Sequence, residues 1–205
     1  MKQRKRIPWG QVIGVGLSLV MGVGCGVVLT SWFDCCPAGV SRPLWALGLA
    51  AAFLLALLAQ ITLHEGGHLV CGLLSGYRFC SFRVGSLMWM KVDGHLRLRR
   101  LRLAGTDGQC LMSPPDMVDG RLPVTLYNFG GALANLLTAV LALALYGPAR
   151  RVPLLAAFLL FLAVIGGFTA AMNGIPCGWG TSTTTGATPS PWGATRRPSG
   201  PSGCR

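Results

Sequence analysis

Acidic residues are scarce in this chain: six aspartates and glutamates stand against 18 lysines and arginines, a formal net charge of +12. Charged residues of all kinds make up only 12%, about half the share of an ordinary soluble domain. Glu65 is the sole glutamate, and no acid follows Asp119. The eight cysteines contain no CxxC pair, which argues against a structural zinc ribbon. They also do not read as a disulfide framework. Cys25 and Cys71 lie in apolar segments, Cys80 and Cys110 in a region read below as cytosolic, and Cys177 and Cys204 in a polar tail. Cys35-Cys36 is the one adjacent pair, and all are taken as small, unremarkable thiols.

What is abundant is apolar sequence, with 52% hydrophobic residues and a mean hydropathy of +0.54. Four runs approach the ~20 residues that cross a bilayer: about 12–30, 44–75, 122–146 and 153–172. The basic cluster at 1–6 precedes the first run, and no convincing small-residue cleavage site follows it, so an uncleaved first helix is expected. Basic residues concentrate in 1–6 and 78–121, whereas the intervening short loops carry only Arg42, Arg150 and Arg151. The positive-inside rule then places the N-terminus and the 77–121 segment in the cytosol. Because the cations sit beside apolar segments, they read as orientation signal and lipid headgroup contact, and no nucleic-acid partner is expected.

The expected fold class is an all-α membrane protein: about four transmembrane helices, with a small cytosolic β-type insertion between the second and third. The domain boundaries are 1–176 for the membrane domain, 77–121 for the insertion within it, and 177–205 for the tail. The insertion reads as a hairpin, with FCSFRVGSLMWMKV and HLRLRRLRL as arms around an Asp93-Gly94 turn. The step at Arg99-Arg100 breaks the alternation and is expected to be a bulge. A ribbon at the membrane surface with its arginines toward headgroups is the simplest picture.

Inside the second run stands His64-Glu65-Gly66-Gly67-His68. Ionisable groups are costly in a membrane helix and point to function. Residues four apart share a helix face, so His64 and His68 present two imidazoles to one point. Two neutral imidazoles can hold Zn2+, and the neighbouring Glu65 can take a proton from the metal-bound water. Zinc lowers that water's pKa to about 7, which supplies a hydroxide for attack on an amide carbonyl. Asn128, Asn135 and Asn173 fall near the same depth on the other runs, as possible substrate or site support. Interhelical hydrogen bonding is the competing role for Asn128 and Asn135. Gly66-Gly67 is expected to pack against Gly130-Gly131. His95 follows the turn and is expected to be exposed.

HEGGH in an apolar helix, a basic β-type insertion, a span opening NFGGALAN and a later NGIP resemble the site-2 protease family of intramembrane zinc metallopeptidases. The likeness covers about residues 44–176 and is closest to compact bacterial members. The resemblance implies His64 and His68 as zinc ligands, Glu65 as general base, and hydrolysis of a peptide bond in or near the membrane. It further implies a membrane-associated protein or peptide as substrate, extended along a strand edge, membrane lipid as surroundings, and residence in a bacterial cytoplasmic membrane. Family members commonly supply a third ligand, an aspartate in an Asp-Gly element soon after the NxxP segment. This chain departs from that pattern, because no acid follows Asp119. Activity is therefore expected to be impaired. The alternative is a non-catalytic membrane scaffold that binds a peptide or partner helix. A transporter using His and Glu as a proton relay is weaker, because no repeat of half-helices is visible.

The tail from Cys177 to Arg205 lacks Val, Ile, Leu, Met and Phe. It reads either as a disordered Gly/Ser/Thr/Pro-rich segment or, the favoured reading, as the product of a one-base frameshift after the Pro176 codon. Regrouping the codons turns Thr183-Thr184-Thr185 into three residues drawn from Asp, Asn, His and Tyr, and Gly186 into Gly, Arg or Trp. An acidic element then becomes possible where the resemblance expects one.

Overall fold

The computed structural model describes residues 9–101, 107–117 and 123–174. Four helices dominate: α1 (Trp9–Phe33), α2 (Arg42–Leu74), α3 (Val124–Ala149) and α4 (Pro153–Gly174). All four are long and apolar enough to cross a membrane. Each coincides with an expected apolar run to within a few residues. Between α2 and α3 the chain forms a small antiparallel sheet of β1 (Arg78–Val84), β2 (Leu87–Val92), β3 (His95–Arg100) and β4 (Gly108–Ser113). The tail, and with it the frameshift reading, lies outside the described residues.

Local sequence sets where α2 begins and ends. Ser41 is extended and a proline follows in the first turn, a position whose missing N–H costs nothing. At the other end the Ser75 N–H and Oγ both donate to the Cys71 carbonyl, and Gly76 adopts a φ of +82° that turns the chain off the axis.

The bundle packs through small residues. Ala157, Phe161 and Ile165 of α4 meet Leu49, Ala52 and Ala56 of α2 and Cys25 and Val28 of α1. Alanine at such seams lets helix backbones approach, the usual way helices associate where lipid removes the hydrophobic drive. Phe53 meets Phe161 edge-on at 5.5 Å between ring centroids. Large apolar side chains such as Val20, Leu54 and Val140 point outward, so the helices are hydrophobic all round rather than amphipathic.

The sheet order is β3-β2-β1-β4. Two expectations for the insertion need correction. The first hairpin arm is not one strand. It breaks at Gly85, where φ is +56° and the N–H donates to the Asp107 carbonyl at 2.7 Å. Nor is there a bulge at Arg99-Arg100, since β2 and β3 pair without a shift from Val92↔His95 to Leu87↔Arg100. Every β3 side chain is exposed, so Arg100 can occupy the leucine row at the ribbon's end without burying its charge. The register shift falls instead between Phe79 and Ser81, where β1 meets β4. The Asp93-Gly94 turn forms as expected, with φ of 50° and 80°, the pair of left-handed residues that a two-residue hairpin favours.

α2 packs against both β1 and β4, whereas β2 and β3 project beyond the helices. This arrangement brings the sheet's β4 edge over the histidine-bearing end of α2.

Candidate functional site

α2 and α3 touch where neither carries a side chain. A Cβ on Gly67 would lie within 3 Å of the Gly130 carbonyl and 2.7 Å from the Ala134 Cβ. One on Gly130 would lie 2.8 Å from the Cys71 Cβ. The expected Gly-Gly packing is thus realised by one residue of each pair. Gly66 has open space around it, and Gly131 serves a different purpose. A Cβ there would stand 2.5 Å from His64 Cε1 and 2.6 Å from His68 Nε2. Gly131 therefore presents bare α3 backbone to both imidazoles.

His64 and His68 converge as the one-turn spacing requires. Their Nε2 atoms are 3.2 Å apart, and the rings meet edge-on with centroids 4.8 Å apart. Two imidazole nitrogens on a tetrahedral zinc, each about 2.0–2.1 Å from it, would be about 3.3 Å from each other. The pair fits zinc as it stands, and the same separation suits an N–H···N hydrogen bond. His68 Nδ1 is 2.7 Å from the Tyr127 carbonyl. A carbonyl can only accept, so Nδ1 carries the proton and Nε2 keeps its lone pair, the tautomer a metal ligand needs. His64 differs: among the described residues its buried Nδ1 makes no well-formed hydrogen bond, although the Gly131 backbone lies beside it.

Among the described residues no third His, Cys, Asp or Glu joins this pair in a metal-holding group. Asp107 and Asp116, the described acids between β3 and α3, do not complete it. Asp119 lies outside the described residues. The donor set therefore fits two of the three protein ligands that catalytic zinc commonly has.

Glu65 leaves α2 on the side of β4. Its carboxylate accepts a hydrogen bond from the Cys110 N–H and lies in the field of the Arg83 guanidinium. A Cβ on Gly108 would be 2.6 Å from Glu65 Oε1, so glycine at the start of β4 is what lets the strand close over the carboxylate. The Tyr127 hydroxyl donates to the Cys110 carbonyl at 2.9 Å. Both backbone groups of Cys110 are thus taken by side chains of the helices, and the β4 edge is closed at this residue. Burial, and next the Glu65 charge, push the Cys110 thiol up to about 12, which keeps it a neutral S–H.

Arg83 and Tyr127 are site residues that sequence reasoning missed. Arg83 is 1% exposed, with Nη1 donating to the Gly85 carbonyl at 2.7 Å. Its signal was faint: Ser81 and Arg83 are the polar residues of the β1 face that turns inward. Tyr127 stacks on Tyr77 with centroids 4.8 Å apart and leans on His68. It acts on His68 through its main chain, which no side-chain pattern announces.

The three asparagines separate. Asn135 is fully buried and its amide donates to Thr169 of α4, which is the interhelical bond its competing role required. Its Oδ1 has no partner among the described residues. Beside it, Gln60 is also fully buried, donating to the Leu162 carbonyl at 2.7 Å and accepting from Thr138 at 3.3 Å. Gln60 lies one turn before His64, so a polar layer joining α2, α3 and α4 sits beneath the imidazoles. Asn128 is exposed. Asn173 is exposed too, and donates to the Thr169 carbonyl of its own helix at 2.9 Å. His95 is exposed on β3, as expected.

No protein-family model, curated protein or solved structure matches the chain.

Proposed function

We propose that this chain is an intramembrane zinc metalloendopeptidase of site-2 protease type, weakened by an incomplete ligand set. In this reading α1 to α4 cross a bacterial cytoplasmic membrane with the N-terminus in the cytosol. The all-round apolar surface of the helices and the grouping of cations at 1–6 and 78–121 support that placement. A peptide-binding membrane scaffold is the second reading, favoured by one observation, the lack of a third ligand among the described residues.

The observation that carries the enzymatic reading is the convergence of two imidazole Nε2 atoms at 3.2 Å, beside the sole glutamate of the chain. His64 and His68 would hold the zinc, which when bound supplies a Lewis acid and an activated water. Four tasks fall to the chain's own residues. The Tyr127 carbonyl fixes His68 in the tautomer with a free Nε2. Gly131 removes the side chain that would otherwise occupy the space beside both rings. Glu65 is the proton acceptor, and its hold on the Cys110 N–H orients the carboxylate and places β4 next to it. The polar layer of Gln60, Asn135 and Thr169 keeps the three helices in register below.

The test is cleavage of a membrane-spanning peptide reconstituted with the full chain in zinc-containing vesicles. Slow cleavage that disappears in Glu65→Gln supports the protease. Binding of the peptide with no cleavage above the Glu65→Gln background, at any zinc concentration, supports the scaffold.

A further inference from the structure

The β2–β3 ribbon is the part of the molecule that the site does not use. Its register sorts the cations in a way that composition does not reveal. Residues directly opposite in an antiparallel pair share a face. The pairs Leu87↔Arg100, Trp89↔Leu98 and Lys91↔Leu96 therefore form one face, and Met88↔Arg99 and Met90↔Arg97 the other. On the first face Phe82 of β1 adds to the row, because it pairs with Trp89, and the two rings lie 6.2 Å apart. That face is apolar along its middle and basic at both ends. Its leucines are strongly exposed, Leu96 at 68% and Leu98 at 58%.

The apolar row does not stop at the sheet. Phe79, Phe82, Trp89 and Leu96 line a groove of about 470 Å³ whose other wall is Leu69 and Leu73 of α2. Leu69 and Phe82 also line a second groove of about 620 Å³, apolar except for Thr62, with Gly66 and Gly67 among its lining between α2 and α3. One continuous apolar surface thus runs from the outer side of the helix pair onto the underside of the ribbon. On the ribbon this surface is flanked by two exposed cations, Lys91 near the turn and Arg100 at the opposite end. The only acid in the ribbon is Asp93, at the turn.

We propose that this face is a docking surface for anionic phospholipid. Acyl chains fill the groove between α2 and the sheet, and the lipid phosphates pair with Lys91 and Arg100. Charge complementarity selects the occupant. An apolar partner helix would leave both cations unmatched, and a nucleic acid would meet leucine and tryptophan where it needs cations. A tryptophan beside basic residues at the edge of an apolar surface is the usual composition of a bilayer interface. Arg97 and Arg99 project from the opposite face, so only part of the basic cluster reaches headgroups. The inference rests on the bilayer placement of the helices proposed above, but not on zinc or catalysis.

Emission from Trp89 tests it, isolated as the difference between the full chain and its Trp89→Phe variant in vesicles. The vesicles carry lipid brominated in the acyl chain, either as phosphatidylglycerol or as phosphatidylcholine, at equal mole fraction. Expected is quenching of the Trp89 component by both, several-fold stronger with brominated phosphatidylglycerol, and reduced by salt. The double change Lys91→Gln and Arg100→Gln should equalise the two lipids, since each cation near an anionic surface contributes a preference of about fivefold. Both side chains are exposed, so the change leaves the fold intact. Equal quenching by the two lipids in the unaltered chain overturns the headgroup assignment. An unquenched Trp89 component, with the remaining tryptophan emission quenched, overturns the docking surface alone. If no tryptophan is quenched, the bilayer placement itself fails.

Discussion

The two seams that α2 makes around the site are built on opposite terms. Against α3 the contact is bare backbone: Gly67 meets Gly130, and Gly131 meets the two imidazoles. Against β4 it is polar: Glu65 on the Cys110 N–H with Arg83 nearby, joined there by Tyr127 of α3 on the Cys110 carbonyl. The first seam tolerates no added atom, because a backbone cannot move aside. The second is held by groups that can rotate away and re-form. The histidines therefore sit on the rigid seam and the glutamate on the adjustable one. A protein that must position ligands permanently and a proton acceptor transiently has a use for that division.

The sharpest way to break the contrast is to add one carbon to the rigid seam. Gly67→Ala should cost about 1–3 kcal/mol or more, the range for overpacking where neighbours cannot yield, read as a lowered melting temperature in detergent. Gly66→Ala, one residue away with open space around it, should be neutral or slightly stabilising, because alanine is the better helix former by about 1 kcal/mol. If both alanines destabilise alike, the backbone contact is not what holds the seam.

On the polar seam the effects are smaller. Glu65→Gln keeps the shape but removes the charge that faces Arg83 and the Cys110 N–H. The lost contacts are offset by relief from burying a carboxylate charge, so the stability read by the melting temperature should change by less than about 1 kcal/mol. Tyr127→Phe deletes the hydroxyl on the Cys110 carbonyl while leaving the main-chain carbonyl that holds His68. About 1 kcal/mol should be lost, with faster amide exchange in β4 and unchanged zinc binding. Weakened zinc binding in that variant would mean that the two seams are not separable.

Much of the rigid seam was legible in the sequence. HEGGH and NFGGALAN carry glycines on apolar helices, where the only strong reason for glycine is close approach, and the four apolar runs located the helices to within a few residues. The polar seam was not legible, and for a physical reason. Its partners are main-chain groups of β4, which no side-chain pattern encodes, and an arginine whose inward direction depends on sheet register. The same register defeated the expected bulge, since alternation alone does not say that a charged residue in the leucine row lies at an exposed end. Asn128 and Asn173 sit at the expected depth but face outward, because depth along a helix leaves its rotation undetermined.

The smallest expected effect concerns chemistry at the β4 edge. With its thiol pushed up to about 12 by burial and then by Glu65, Cys110 stays protonated through neutral pH. Thiolates are the reactive form, so maleimide labelling of Cys110 should be at least about tenfold slower than that of exposed Cys35, followed by peptide mapping. Because the folded pKa is raised, the neutral thiol favours the fold below the ordinary thiol pKa of about 9 and the benefit fades as pH rises toward 12. Glu65→Gln, by removing one of the two causes, should narrow the labelling difference.

Zinc content of the purified full chain reads the two-histidine ligand set itself. Weak, substoichiometric zinc is expected, lost when either His64 or His68 becomes alanine, and higher when one base is inserted after the Pro176 codon in the coding DNA. Tight, stoichiometric zinc in the chain as it stands, or zinc retained after both histidines are replaced, would contradict it.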